Sequence, residues 1–184
     1  MGPVGFVAAW AAGAALSDHL SPVHDAISRL AAIGANTRPL MSAGFVAFGV
    51  GVPIYAAALR QVVPGPAWVT ATVTGLATIG VALAPLDHSS AVDSLHAAFA
   101  VLGYVTLAAT PLLAYRPLMR GGHRRLARLG AIAGVVSGTS LVLTSVGDWS
   151  GLFQRAGLTA GDVWIVASAV AILSGRLTAP ITSS

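Results

Sequence analysis

Long runs of apolar residues, separated by short polar connections, dominate the chain. An α-helix needs about 20 apolar residues to cross the hydrocarbon core of a bilayer. Six runs approach this length, at residues 2–17, 39–59, 67–86, 94–115, 127–147 and 160–177. The connections are too short to hold a second domain. The pattern therefore predicts an all-α polytopic bundle of six transmembrane helices that forms a single transmembrane domain over residues 1–184.

The first polar connection contains a segment with helical periodicity, "SPVHDAISRLAAIG" at residues 21–34. Its Ser-Pro start is typical of an N-cap followed by a first helical position. Apolar side chains recur on one face of this segment, and the opposite face carries His24, Asp25, Ser28 and Arg29. We predict a short amphipathic helix at about residues 22–33 that lies along the membrane interface, with an Asp25–Arg29 pair at i,i+4 spacing. Alternatively, its polar face folds inward over the bundle as a lid.

Composition supports the membrane class and removes several kinds of chemistry. The chain is 55% hydrophobic and 9% charged, whereas soluble domains carry about 25% charged residues. All ten basic residues are Arg, all six acids are Asp, and Lys, Glu and Cys are absent. The absence of Lys excludes a retinal Schiff base, and the absence of Cys excludes disulfides, thiolate ligands and thiol catalysis.

The Arg residues predict an orientation in the plasma membrane. The connection "RPLMRGGHRRLAR", residues 116–128, carries five of the ten Arg residues, so the positive-inside rule places it in the cytoplasm. Alternation then puts both termini in the cytoplasm and leaves residues 18–38, 87–93 and 148–159 outside. These Arg positions fit membrane orientation better than a nucleic-acid partner, despite the net charge of +4.

Most ionisable residues other than Arg then gather at the outer side. They are Asp18, Asp25, Asp87, Asp93, Asp148, Asp162, His19, His24, His88 and His96. Outer loops that simply tolerate Asp are one explanation. The other is a polar site at the outer mouth of the bundle, because ionisable residues at membrane depth are functional candidates.

Candidate catalytic residues come from these outer segments. They are Asp25, Ser28, Asp87, Asp93 and His96. His96 lies one turn inside an apolar run, where an unpaired imidazole would be costly. It is either a partner in acid–base chemistry or a structural residue bonded to a neighbouring carbonyl or to Asp25. Candidate substrate-binding residues are His24, Arg29, Trp10, Phe45, Phe99, Tyr104, Trp149 and Trp164. The aromatic residues of the last outer connection are alternatively an interfacial belt.

Three glycines repeat every four residues in the fifth span, at Gly130, Gly134 and Gly138. Such a seam of small residues permits close approach of helices. It serves either packing within the chain or a contact between two copies in a homo-oligomer.

Several segments taken in order resemble one known family. They are "SPVHDAISRLAAIG", "LMSAGFVAFGVGV", "PLD" followed by "LHAAFAVLGY", and "GLFQRAGLTAGDVW". Together they resemble the uncharacterised bacterial and archaeal membrane family called domain of unknown function 998. The resemblance covers nearly the whole chain, and it implies a small helical bundle and a pattern that matches Asp25, Ser28, Pro85 and His96. The closing segment of the family often has an acid before its Arg, where this chain has Gln154–Arg155.

We expect an enzyme that acts on a lipid or isoprenoid from the outer leaflet. A buried Asp would stay protonated and act as the acid, with His96 as its partner. Aromatic faces would stabilise a developing carbocation, as in a prenyl cyclase or isomerase that needs no cofactor and resembles small membrane terpene cyclases in general architecture. The alternatives are a non-catalytic lipid-binding or complex-assembly protein, a metal-dependent membrane hydrolase that uses His and Asp ligands, and a transporter.

Overall fold

The computed structural model describes residues 2–178, which form six α-helices, one short 3₁₀ helix and no strands. This confirms the predicted all-α bundle. The α-helices are α1 (Gly2–Ala15), α2 (Arg38–Val62), α3 (Ala67–Leu83), α4 (Ser90–Arg120), α5 (Arg124–Thr144) and α6 (Ser150–Leu173). The 3₁₀ helix spans Ile27–Ala31 and lies between α1 and α2.

Four of the helices, α2, α4, α5 and α6, are long and apolar enough to cross a membrane. The other two are apolar but shorter, with 14 residues in α1 and 17 in α3. At 1.5 Å per residue they are roughly 21 and 26 Å long, somewhat less than a bilayer core. Large apolar side chains also point outward from the bundle, Ile54 at 68% exposure among them. The protein is therefore a multi-pass membrane protein.

Each helix packs chiefly against its neighbours in sequence, from α1 with α2 to α5 with α6. Smaller contacts join α6 to α1, α2 and α4. The contact between α1 and α6 closes the ring of helices, and it is much smaller than the contacts between sequence neighbours. We call this junction of the first and last helices the α1–α6 seam.

The glycines of α5 pack within the chain. A Cβ added at Gly134 would lie 2.8 Å from the carbonyl oxygen of Ala108 on α4, and one at Gly130 would lie 2.6 Å from Trp164 Nε1 on α6. At Gly138 the closest contact would be an ordinary 3.9 Å, to the Cβ of Ala108. Two of the three glycines therefore let α5 approach α4 and α6, which is packing within the chain, one of the two uses expected for the seam.

Three connections meet at one end of the bundle, which we call the Asp-rich end. They are residues 16–37, 84–89 and 145–149. Hydrogen bonds join the first to each of the others, including Ile33 N to the carbonyl oxygen of Leu86 at 2.9 Å. Residues 63–66 and 121–123 lie at the opposite end, which we call the Arg-rich end because Arg116, Arg120, Arg124 and Arg125 surround it. The predicted grouping of the polar connections is confirmed by these contacts.

Three predicted boundaries differ from the structure. The fourth span was expected to end at residue 115, but α4 continues to Arg120. The last connection was expected at residues 148–159, but α6 begins at Ser150. As a consequence, Asp162 does not lie beside a connection: it lies near the middle of α6. The amphipathic helix expected at residues 22–33 is reduced to the five residues of the 3₁₀ helix.

Side chains of the loop itself account for that shorter helix. The carboxylate of Asp25 accepts a hydrogen bond from Ser21 N at 2.8 Å, and residues 22–24 form a turn. Such local bonds from Asp and Ser compete with a helical backbone. The expected Asp25–Arg29 pair is also wrong, because Arg29 pairs with Asp87 on another connection.

Candidate functional site

The loop of residues 16–37 is held in place by Arg155 on α6. Arg155 is buried, and its Nη1 donates to the backbone carbonyl oxygens of Pro22 at 2.7 Å and Asp25 at 2.8 Å. Its guanidinium carbon also lies 5.6 Å from the centre of the Trp10 ring on α1, which is cation–π distance. Trp10 was expected to bind substrate. In the structure it lies against the Arg that anchors the loop.

A second group of hydrogen bonds attaches the same loop to the start of α6. The side-chain oxygen of Gln154, which is buried, accepts from Ile27 N at 2.6 Å. The hydroxyl of Ser150 donates to the carbonyl oxygen of His24 at 2.7 Å, and His24 Nδ1 donates to the carbonyl oxygen of Asp148. Sequence reasoning did not select Gln154 and Arg155 as site residues. The available signal was two adjacent polar residues that precede an apolar run.

The turn between α3 and α4 is joined to the loop by an ion pair. Arg29 Nη1 lies 3.2 Å from the Asp87 carboxylate, and the two side chains are 47% and 53% exposed. Asp87 has a φ of 63°, a left-handed conformation that Asp tolerates better than most residues. Its backbone N–H donates to the carboxylate of Asp93 at 3.0 Å. Asp93 therefore shapes the turn that presents Asp87.

His96 is buried in α4, and its Nδ1 donates to the carbonyl oxygen of Ala84 at 2.7 Å. Of the two interpretations of this residue, the geometry matches the structural one, in which the imidazole bonds to a neighbouring carbonyl. His96 thereby closes the end of α3 onto the start of α4.

A cleft of about 530 Å³ lies at the Asp-rich end between the loop and the α3–α4 turn. Its ionisable lining residues are Asp18, His19, Asp25, Arg29 and Asp87. Three carboxylates thus face one guanidinium and one imidazole. Of the predicted site residues, Asp25, Asp87 and Arg29 line this Asp-rich cleft, whereas Ser28, His24, Asp93 and His96 do not.

The aromatic residues expected to bind substrate lie in different parts of the bundle, and none of them lines the Asp-rich cleft. Phe45 packs against Phe6 at a ring distance of 5.7 Å, Phe99 packs over Gly80, and Trp164 is fully buried with its Nε1 donating to Leu126. Tyr104 lines a small cavity of about 10 Å³ beside Gln154. Trp149 is exposed, as an interfacial residue would be.

Asp162 has the least usual environment of the acids. It is only 3% exposed, and neither carboxylate oxygen has a hydrogen-bond partner within residues 2–178. It lies seven residues after Arg155, nearly two turns and about 10.5 Å along α6, so both side chains project from the same side of the helix. The charged residues of α2, α4 and α5 are near the helix ends, and α1 has none. No counter-ion is therefore provided at mid-depth by the described helices.

No three His or Asp side chains converge as metal ligands among the residues that the structure describes. This part of the chain consequently offers no ligand set for the metal-dependent hydrolase alternative.

The fold and the site define the class of the protein: a multi-pass helical membrane protein with a polar cleft at one end of the bundle. The family model described as "Protein of unknown function (DUF998)" matches residues 1–171. The chain therefore belongs to this family, which confirms the resemblance seen in the sequence. No curated protein and no solved structure matches the chain.

Proposed function

We propose that the protein binds a membrane lipid, and that the Asp-rich cleft takes the polar head group. The observation that carries this proposal is the lining of the cleft, which presents three carboxylates and one guanidinium at the end of an apolar bundle. A head group with both an ammonium and a phosphate complements this lining. Phosphatidylethanolamine is the common lipid with that chemistry.

The charges in the cleft suit the two parts of such a head group differently. Asp18 and Asp25 supply acceptors for the ammonium, and Arg29 supplies a planar donor for the phosphate. The Arg29–Asp87 pair is about half exposed, so exchanging its carboxylate for a phosphate costs little. The acyl chains would remain in the bilayer beside the apolar outer surface of the helices.

Lipid retention in nanodiscs tests this proposal. Purified protein is reconstituted in phosphatidylcholine with a minor fraction of phosphatidylethanolamine, and bound lipid is counted by native mass spectrometry. The D18N/D25N variant should retain roughly 5- to 30-fold less phosphatidylethanolamine, since charge-assisted hydrogen bonds contribute about 1–2 kcal/mol in exposed clefts. Asn at position 25 keeps an acceptor for Ser21 N, so the loop should stay folded.

Asp148 provides the matched control, because it is exposed at the same end and does not line the cleft. The D148N variant should retain phosphatidylethanolamine like the wild type. Equal retention by D18N/D25N and wild type, or equal loss in D148N, would contradict head-group binding in the cleft.

An enzyme that acts on a lipid or isoprenoid is the second candidate, and one observation favours it. His19 lines the same cleft as Asp18 and Asp25, so an imidazole and carboxylates converge on one space. The acid–base pair would then use His19 in place of the expected His96. Turnover of a prenyl or phospholipid substrate that is lost in H19A, with lipid retention unchanged, would establish this candidate. Unchanged turnover in H19A would eliminate the role of the imidazole.

The proposed setting is the plasma membrane, with the Asp-rich end outside and both termini in the cytoplasm. The concentration of Arg at the opposite end supports this orientation. Because the chain has no Cys, single cysteines at Ser145 and Arg120 report on the two ends without background. An impermeant maleimide applied to cells should label S145C and leave R120C unlabelled.

A further inference from the structure

A groove runs along the junction of α5 and α6 on the outer surface of the bundle. Two adjoining cavities form it, one of about 610 Å³ at the Arg-rich end and one of about 470 Å³ farther along the same helices. Leu129 lines both cavities, so they lie next to each other along α5. We call this feature the α5–α6 groove.

Helical spacing makes the walls of the second cavity largely apolar, with Arg155 and Thr159 as the polar exceptions. Leu129, Ile132 and Val136 follow one another at i, i+3 and i+7 on α5 and line the groove, as do Ala156 and Val163 on α6. Ile132 is 63% exposed. A surface stripe of this kind, at the depth of the hydrocarbon core, is suited to an acyl chain.

The end of the groove carries positive charge. Arg124, Arg125 and Arg176 line it at the Arg-rich end, and no Asp does. In the described part of the chain, the only Arg–Asp ion pair within 4 Å is Arg29–Asp87, at the opposite end of the bundle. No carboxylate of residues 2–178 therefore neutralises the charge of these three guanidinium groups.

We propose that the α5–α6 groove is a binding site for an anionic phospholipid. The phosphate would lie among Arg124, Arg125 and Arg176, since guanidinium groups bind phosphate with paired hydrogen bonds. One acyl chain would follow Leu129, Ile132 and Val136 toward the middle of the bilayer. Basic pockets between transmembrane helices commonly bind anionic head groups. This site lies at the opposite end from the Asp-rich cleft and does not depend on its function.

The proposed binding of the lipid phosphate by the Arg residues is tested by titration of the detergent-purified protein with single lipids. Dioleoylphosphatidylglycerol should raise the thermal unfolding temperature, and dioleoylphosphatidylcholine should not. In the R124Q/R125Q variant the apparent affinity for phosphatidylglycerol should fall by roughly 10- to 30-fold, because each Arg near an anionic lipid contributes about 1 kcal/mol. The R116Q/R128Q variant loses the same charge at exposed positions outside the groove, and its affinity should match the wild type.

A second matched pair of variants tests whether the acyl chain lies in the groove. Trp at Ile132 fills the groove without any change of charge, whereas Trp at Ile54, which is 68% exposed on α2, lies outside it. I132W should weaken phosphatidylglycerol binding, and I54W should leave it unchanged. Equal stabilisation by the two lipids, or equal losses in R124Q/R125Q and R116Q/R128Q, would overturn the proposal. Helical content by circular dichroism identifies any variant that fails to fold.

Discussion

Arg155 Nη1 donates to the backbone carbonyl oxygen of Asp25 across 130 positions of the chain, at 2.8 Å. The loop that contains Asp25 has only five residues of regular structure between α1 and α2. Ordering such a segment costs conformational entropy at every residue. A buried guanidinium that binds two of its carbonyl groups offsets part of this cost, and it holds the segment that carries Asp25 against α6.

Replacement of Arg155 by Met should destabilise the protein by about 2–4 kcal/mol, because the carbonyl groups of Pro22 and Asp25 lose their charged donor. Thermal unfolding in one fixed detergent measures this loss. Hydrogen exchange should increase at residues 22–31 more than in the helices, since these residues depend on the anchor.

Arg116 provides the control for the Arg155 variant. It is exposed at the Arg-rich end of α4, so R116M should change stability by no more than about 0.5 kcal/mol. Similar losses in R155M and R116M would show that the anchoring bonds contribute little.

Gly134 and Gly138 on α5 both face α4, so Ala substitutions at the two positions can be compared directly. A Cβ at Gly134 would lie 2.8 Å from the carbonyl oxygen of Ala108, but one at Gly138 would have 3.9 Å to its closest neighbour. G134A should therefore cost about 1–3 kcal/mol through displacement of α4. G138A should be neutral or slightly stabilising, because Ala favours a helix over Gly by up to about 1 kcal/mol. Thermal unfolding of both variants checks the difference, and a neutral G134A would contradict this close approach.

The hydrophobic pattern was sufficient to predict the six helices and the end at which the polar connections meet. Alternation of the spans decides which connections are neighbours, and it needs no tertiary information. The α2, α3 and α5 segments accordingly lie close to the predicted runs. The start of α6 was predicted too late because Gln154 and Arg155 are polar. From sequence alone, such residues indicate a connection between helices, since their buried hydrogen-bond partners are not visible there.

The candidate site was less predictable, since its contacts join distant parts of the sequence. Gln154 bonds to Ile27 and Arg155 to Asp25, and no local pattern specifies such pairs. Phe45 and Trp164 were expected near a substrate because they are aromatic, but tertiary packing places them in the core.

Asp87 allows the backbone contribution of a residue to be separated from that of its charge. Its φ of 63° disfavours β-branched side chains, so D87V should cost about 1–2 kcal/mol. D87G also removes the ion pair with Arg29 but suits a positive φ. It should change stability by less than about 1 kcal/mol, because an exposed pair contributes little. If D87G is as unstable as D87V in thermal unfolding, the ion pair and not the backbone is the important element.

Replacement of Asp162 should affect stability in the opposite direction from replacement of Arg155, although both side chains are buried on one side of α6. Within the described residues, three carbonyl oxygens lie within hydrogen-bond distance of Arg155 Nη1 while its Nε has no partner, whereas neither carboxylate oxygen of Asp162 has one. Replacing an unpaired buried polar group with an apolar one of similar size removes a desolvation cost and breaks no hydrogen bond. D162L should therefore be as stable as the wild type or more stable by about 1–3 kcal/mol, and D162N should fall between them.

Thermal unfolding of D162L and D162N beside R155M measures this contrast in one set of experiments. Position 162 lies on the same side of α6 as Arg155, which contacts the Trp10 ring of α1. A loss of more than about 3 kcal/mol in D162L would mean that the carboxyl has a partner, such as a bound water or cation in the seam. In that case Asp162 would be the ionisable residue at mid-membrane depth to test next for function.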